Sequence, residues 1–409
     1  MQSTSNRQPR LGFDLTILGT VAFLSTAIFW LTDLDIRAAA IFYHPDNSLD
    51  PWYEANDALW NFFYNAAPVI TATAAIGGVA VIIGSSVWSR MSTYRIYAAL
   101  VVLTLVVGPG ILINAVFKDH WGRPRPRQIQ TLGGDQVYVP PLMMGKKGKS
   151  FPAGHSSVGF ALCTFWLIWR RRQPWLAKGA LLVALVVGGM MGIGRMAAGG
   201  HFLSDVMWSA YLTLFAALMV YYLLLRMHRH EADSEPVRTA HTAWQTPVYT
   251  SLGVAVLTGS LLAFPVHKDI QSLLDQHSMA IAPQIAELVV DRANIEIQLN
   301  SGGPYLAVQG NIRGFGLPTN RITSQTGHAE SPVPTVSYRL EQKGVFTELD
   351  SRIKVRLDAR KLSRLIVRLD KGDIVIVSDA RLAHLPTLDL RTKQGRVRQP
   401  HAQAEVQQK

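Results

Sequence analysis

Residues 97–126 read YAALVVLTLVVGPGILINAVFKDHWGRPRP: no charge from Tyr97 to Phe117, then an abruptly basic stretch. A bilayer core takes about 20 apolar residues in a helix, so the first part reads as a membrane span. The second part, Lys118-Asp119-His120-Trp121-Gly122-Arg123-Pro124-Arg125-Pro126, sets cations at the end of that span. Further apolar runs at 15–32, 66–88, 155–169, 178–194, 204–225 and 247–266 repeat the pattern. The run at 155–169 is short but lengthens if it starts at Pro152, and the run at 178–194 extends toward Gly199. Any one run would suit a buried helix of a soluble protein. Seven of them before residue 267 predict an all-α polytopic membrane helical bundle.

The 409-residue chain carries 40 Lys and Arg against 28 Asp and Glu, a formal net charge of +12. That balance suits anionic lipid headgroups. Neither an aromatic-interleaved basic stripe nor zinc-ligand spacing accompanies it, so nucleic acid is not the expected partner. Basic residues near span ends set orientation. Arg7 and Arg10, Arg90 and Arg95, Arg170 to Arg172, and Arg226 with His228 and Arg229 fall on one side if the spans alternate. That side is expected to be the cytoplasm. The basic loop 118–150 then lies on the outer face, against the rule, as an anion-binding loop would. The single Cys163 lies in an apolar run and allows no internal disulfide.

The tail is different. Asn294–Leu299, Ile353–Leu357 and Leu365–Leu369 alternate polar and apolar residues as half-buried strands do, and Asp370-Lys371-Gly372-Asp373 is a turn into Ile374–Val377. A small β-rich soluble domain at the C-terminus is expected, with no visible internal repeat.

Three segments at the edges of apolar runs carry chemistry. In Arg195–Asp205, His201 and Asp205 are four apart and share a helix face if the sixth span begins near His201. A carboxylate that accepts one imidazole N–H leaves the other nitrogen free to attack phosphorus. In Phe151-Pro152-Ala153-Gly154-His155-Ser156, Gly154 lets backbone approach an oxyanion and His155 suits a proton donor. Ser156 adds a hydroxyl. Lys118 and Arg125 suit a phosphate by charge and place, and Arg195, near the outer end of a span, calls for an anionic partner. Each has a plainer use when taken singly: a His–Asp pair can cap a helix, His155 can sit at the interface, and Lys118 or Arg123 can snorkel.

Order and spacing together resemble the three signature motifs of the type 2 phosphatidic acid phosphatase family (PAP2, the lipid phosphate phosphatases). Lys118 through Arg125-Pro126 matches the first motif, Pro152-Ala153-Gly154-His155 the second, and Gly194-Arg195, His201 and Asp205 the third. The resemblance covers roughly residues 60–225. It implies hydrolysis of a phosphomonoester or pyrophosphate of a lipid with neither metal nor cofactor. It makes His201 the nucleophile, Asp205 its orienting partner and His155 the general acid. Lys118, Arg125 and Arg195 become phosphate ligands, and Gly154 a backbone donor. Ala153 and Gly194 stand where the family has serines, which touches phosphate affinity more than reaction type.

The expected organisation is therefore an anchor span and outer loop at 1–60, a PAP2-like membrane core at 61–230, and a cytoplasmic linker with a seventh span at 231–266. An extracytoplasmic β-rich domain follows at 267–391, and a disordered tail at 392–409. The expected protein sits in a bacterial inner membrane with its site and β-rich domain on the periplasmic side. Its expected partners are the membrane and an anionic lipid phosphate: lipid A, undecaprenyl pyrophosphate, phosphatidylglycerol phosphate or phosphatidate. A lipid phosphotransferase using the same phosphohistidine is one alternative, and a membrane-anchored envelope-binding module is another. The related vanadium haloperoxidases are soluble, which this chain is not.

Overall fold

The computed structural model describes residues 11–46, 51–146, 148–230, 245–274, 281–330, 332–360, 362–378 and 385–398. Arg7 and Arg10 of the expected inner cluster lie outside those residues. The chain divides into two compact units, Met1–Leu261 and Leu262–Lys409.

The first unit is helical. In chain order it holds α1 (Leu11–Leu31), α2 (Leu34–Ala40), α3 (Ala58–Val87) and α4 (Arg95–Leu105), which runs on as a π-helix over Val106–Lys118. Then come α5 (Gly154–Phe160), α6 (Cys163–Trp169), α7 (Pro174–Ala197), α8 (Leu203–Met219), α9 (Met227–His230) and α10 (Gln245–Leu262). Five helical stretches are long and apolar enough to cross a membrane: Leu11–Leu31, Ala58–Val87, Ser89–Lys118, Pro174–Ala197 and Leu203–Leu224. Two of the seven expected spans differ. The run at 155–169 is split into α5 and α6, each 7 residues long. The run at 247–266 becomes α10, which is 18 residues long, and then a strand from Phe264.

Small residues bring the split helix close to α7. A β-carbon on Gly159 would lie 2.5 Å from the Gly188 nitrogen, so the two backbones touch where side chains would separate them. The bundle has two distinct ends. At one, Arg170 donates to Asp14 of α1 at 2.7 Å and to Tyr222 at 2.8 Å. At the other, Trp30 of α1 donates to the Pro141 carbonyl at 2.9 Å. The loop after Lys118 therefore gathers at the second end, with the α7–α8 connection.

The second unit has two sheets. One has six strands in the order β1-β4-β7-β3-β9-β11: Phe264–Leu274, Leu306–Gly316, Phe346–Asp358, Asn294–Asn300, Ile374–Ser378 and Val397–Arg398. The other has five, β10-β8-β2-β6-β5: Thr387–Gln394, Arg364–Lys371, Ile285–Arg292, Thr335–Lys343 and Arg321–Ala329. The four expected strands all form, and Gly372 makes the expected turn at a φ of +132°. Alternation sends one face of each strand inward: Leu288, Tyr338 and Val367 pair side by side in one sheet, Ile297, Val355 and Ile376 in the other, and all are buried in one core. There is a structural repeat that sequence did not reveal. The pairs β2–β3, β6–β7, β8–β9 and β10–β11 each place their first strand in the five-stranded sheet and their second in the six-stranded one, in parallel register. Strand structure spans Phe264 to Arg398, beyond the expected limits of 267 and 391 on both sides. The remainder of the expected disordered tail, 399–409, lies outside the described residues.

Candidate active site

The π-helix ends at Lys118, and the chain leaves it for Arg123-Pro124-Arg125-Pro126. Arg123 is fully buried at 0% exposure, so it neither snorkels nor waits for an anion from solvent. Its Nη2 donates to Asp35 of α2 at 2.8 Å, and its Nη1 to Ser204 Oγ at 2.8 Å and to Asp205 Oδ1. Its Nε donates to the Val139 carbonyl at 2.8 Å. The guanidinium lies over the Phe202 ring, 4.6 Å from its centroid. Burial opposes its charge, but Asp205 and then Asp35 outweigh that and hold its pKa above the ordinary arginine value. Asp35 is closed on its other sides by the Ser204 N–H at 2.8 Å, the Ser204 hydroxyl at 2.5 Å and the Tyr138 hydroxyl at 3.0 Å. Two buried carboxylates thus share one buried cation.

Asp205, in the first turn of α8, is fully buried. Its Oδ2 accepts from the Phe202 N–H at 2.8 Å and from the Ser150 hydroxyl at 2.5 Å. His201 precedes that helix and is 2% exposed. The expected imidazole–carboxylate bond is not the closest one. His201 Nδ1 lies 2.5 Å from the Ser150 carbonyl and 3.8 Å from Asp205 Oδ2, beyond hydrogen-bond reach. A carbonyl only accepts, so Nδ1 carries the proton and Nε2 holds a free lone pair. Ser150 is the joint: its carbonyl orients the histidine and its hydroxyl holds the aspartate. Burial pushes the His201 pKa down to about 4, with Asp205 opposing and Arg195 and Arg125 assisting. The imidazole is neutral at ordinary pH, with Arg195 and Arg125 facing it.

Gly199 makes the bend into His201. Its φ is +59°, and a β-carbon there would come 2.7 Å from the Trp52 indole. The Arg127 N–H donates to the Gly199 carbonyl at 3.2 Å, which ties the first segment to the third. The second segment is tied to α8: the Ala153 N–H donates to the Asp205 carbonyl at 3.2 Å, and Ser209 Oγ donates to the Ala153 carbonyl at 2.7 Å.

His155, half-buried in the first turn of α5, stacks on Tyr64 of α3 with ring centroids 5.1 Å apart and planes at 14°. The Arg195 guanidinium lies over the same Tyr64 ring at 5.4 Å. Gly154 sits against α4's π-helical extension, where its β-carbon would be 3.0 Å from Asn114 Oδ1. Ser156 follows His155 in α5. It is fully buried, its hydroxyl has no partner among the described residues, and it packs against α7 at Gly192. There it fills a helix contact. The two departures from the family pattern also face packing. Ala153 is buried among Phe160, Met196 and Val206, and a β-carbon on Gly194 would meet Trp60 at 3.5 Å.

Sequence reasoning missed Asp35, Ser150 and Tyr64, and gave Arg123 no structural partner. Ser150 sits one residue before the second segment and was the most accessible of these. Asp35 and Tyr64 precede the matched motifs and carried no spacing signal. Among the described residues no group of three or more His, Cys, Asp or Glu side chains is placed to hold a metal ion.

A model of the PAP2 superfamily matches residues 97–229. Over 216 residues the chain is 33% identical to a lipid A 4'-phosphatase of Francisella tularensis subsp. novicida (strain U112), covering 51% of this chain and 96% of that protein. It is 32% identical over 138 residues to a lipid A 4'-phosphatase of Rhizobium leguminosarum, covering 32% of this chain and 56% of the relative. It is 31% identical over 137 residues to one from Rhizobium etli, covering 32% of this chain and 51% of the relative. A crystal structure of a Clostridium sporogenes protein aligns with 32% of this chain and 59% of its own at a TM-score of 0.22 and 9% identity, too distant to inform the fold.

Proposed function

This chain belongs to the PAP2 superfamily, and from that premise we propose that it removes a phosphate from lipid A at the outer face of the membrane through a phosphohistidine. The coarser statement stands without the proposal: it is an integral membrane phosphoric ester hydrolase acting on a lipid phosphate. Lipid A is the substrate named for the relative aligned over 96% of its length, and for two others. The outer face is supported by the two ends of the bundle. The candidate site shares its end with Trp30 and the loop after Lys118, while Arg170, with Arg171 and Arg172 after it, sits at the end marked by Asp14.

The observation that carries the mechanism is the placement of His201 Nδ1 on the Ser150 carbonyl, which in a neutral ring puts the proton on Nδ1 and leaves Nε2 its lone pair. In this reading Lys118, Arg125 and Arg195 hold the phosphate oxygens, with Gly154 N–H beside them. Nε2 attacks phosphorus in line, the P–O bond to the sugar breaks, and His155 gives its proton to the departing oxygen. His155, now neutral, takes a proton from water. The hydroxide displaces His201 from phosphorus, releasing inorganic phosphate and restoring the imidazole. Asp205 does not take the imidazole proton. Its charge at 3.8 Å offsets the cation that forms on His201.

The test is phosphate release from lipid A by detergent-solubilised protein, beside His201→Ala, with phosphatidate and undecaprenyl pyrophosphate in parallel. Release from lipid A, lost in the variant, with an acid-labile, base-stable phosphoryl group on the wild-type protein when turnover is stopped by rapid denaturation in base, is the expected result. Release from another lipid alone would overturn the substrate. Transfer of the phosphoryl group to an added lipid without free phosphate would make the protein a phosphotransferase.

A further inference from the structure

The loop beside the site exposes apolar side chains. Val137 is 71% exposed, Met143 48% and Met144 70%, while Tyr138 turns inward to Asp35. Leu142 has a φ of +64°, a left-handed conformation uncommon for a branched side chain, and the Met143 N–H donates to the Pro140 carbonyl at 3.3 Å. That turn holds the two methionines outward. The loop is tied on both flanks. Trp30, in the last turn of α1, bonds the Pro141 carbonyl at 2.9 Å, and the Gly145 N–H bonds the Trp121 carbonyl at 2.9 Å. Exposed Lys146 follows, and Lys149 pairs with Asp119 on the rim at 2.7 Å. Trp30 ends a 21-residue membrane-crossing helix, where tryptophan marks the headgroup boundary. Its bond to Pro141 fixes the turn at that depth. Flexible apolar side chains at that depth, next to a lysine, match an anionic lipid surface in both polarity and charge.

We propose that residues 137–146 form a lip that inserts Val137, Met143 and Met144 into the leaflet facing the site, with Lys146 among the lipid phosphates, so that a lipid reaches Lys118 and Arg125 without leaving the membrane. The delivery role rests on the lipid phosphatase reading; the insertion does not.

Two experiments on full-length protein separate these. Among the described residues the only cysteine is buried Cys163, so a Cys163→Ser background accepts one environment-sensitive fluorophore at Met144→Cys. In vesicles of phosphatidylglycerol and phosphatidylcholine, its emission should shift to the blue and be quenched by headgroup-proximal nitroxide lipid. Quenching by aqueous iodide, with no effect of nitroxide lipid, would overturn insertion without involving turnover. Met143→Asp with Met144→Asp should raise KM severalfold for substrate embedded in vesicles, and leave kcat unchanged on a short-chain lipid phosphate dispersed as monomers. An unchanged vesicle KM would overturn delivery, and a matching kcat loss on the short-chain compound would show damage to the site instead.

Discussion

Arg123 joins two buried carboxylates, so it decides whether the candidate site keeps its shape. A buried pair broken on one side costs about 3–5 kcal/mol, because the remaining charge is stranded. Arg123→Ala strands two carboxylates and should lower the melting temperature in detergent sharply. Arg123→Lys keeps the charge but has no planar fork to reach Asp35 and Asp205 together. It should fold and lose on the order of 100-fold in kcat, since Asp205 and Ser150 would shift against His201. A kcat near wild type in Arg123→Lys would show that the two carboxylates do not need a common anchor.

His201 offers a second test at the same scale. Its pKa is held near 4, chiefly by burial. In the unfolded chain it titrates at about 6.5. Between these values the unfolded state binds more protons, so this histidine's share of stability is full above about 6.5 and lost as pH falls toward 4. Ring nitrogen NMR with labelled histidine, assigned by comparison with His201→Ala, should show a neutral Nδ1–H tautomer at both pH 8 and pH 5. An imidazolium signal at pH 5 would contradict the buried, carbonyl-bound geometry.

At the scale of elements, α3 sets the spacing between the expected acid and an expected phosphate ligand. Tyr64 carries the His155 ring on one contact and the Arg195 guanidinium on another. Stacks of this kind are worth about 0.5–1.5 kcal/mol. Tyr64→Phe keeps the ring and should keep most activity. Tyr64→Leu should lower kcat about two- to tenfold. An unchanged kcat in Tyr64→Leu would leave the tyrosine a packing role only. The three basic and histidine segments were legible in the sequence because their spacing relative to apolar runs is itself the signal. The bond between Arg123 and Asp35 was not, since the partner lies 88 positions earlier in the chain. The β-unit strands were legible from alternation. Their repeat was hidden because stacked positions share burial and not identity: Leu288, Tyr338, Val367 and Leu390 occupy one register level. The span at 155–169 was misjudged because apolarity alone does not show the break at Ala161 and Leu162 between α5 and α6.

At the scale of the whole molecule, the two units are separately cored. Among the described residues the β unit's buried cluster runs from Ile270 to Ile376. The helical unit's clusters lie wholly before residue 253. The Francisella relative is matched over 96% of its length by 51% of this chain, so a chain far shorter than this one holds what that alignment matches. Each unit should therefore stand without the other. A chain ending at Leu261 should fold in detergent and release phosphate from lipid with kcat close to that of the full protein. Residues 262–409 expressed alone should be soluble, show a β-type circular dichroism spectrum and unfold in one cooperative transition. If the truncated chain folds with its native melting temperature yet loses kcat, the β unit takes part in turnover. A β unit that fails to unfold cooperatively on its own would show that its core is completed by the helical unit.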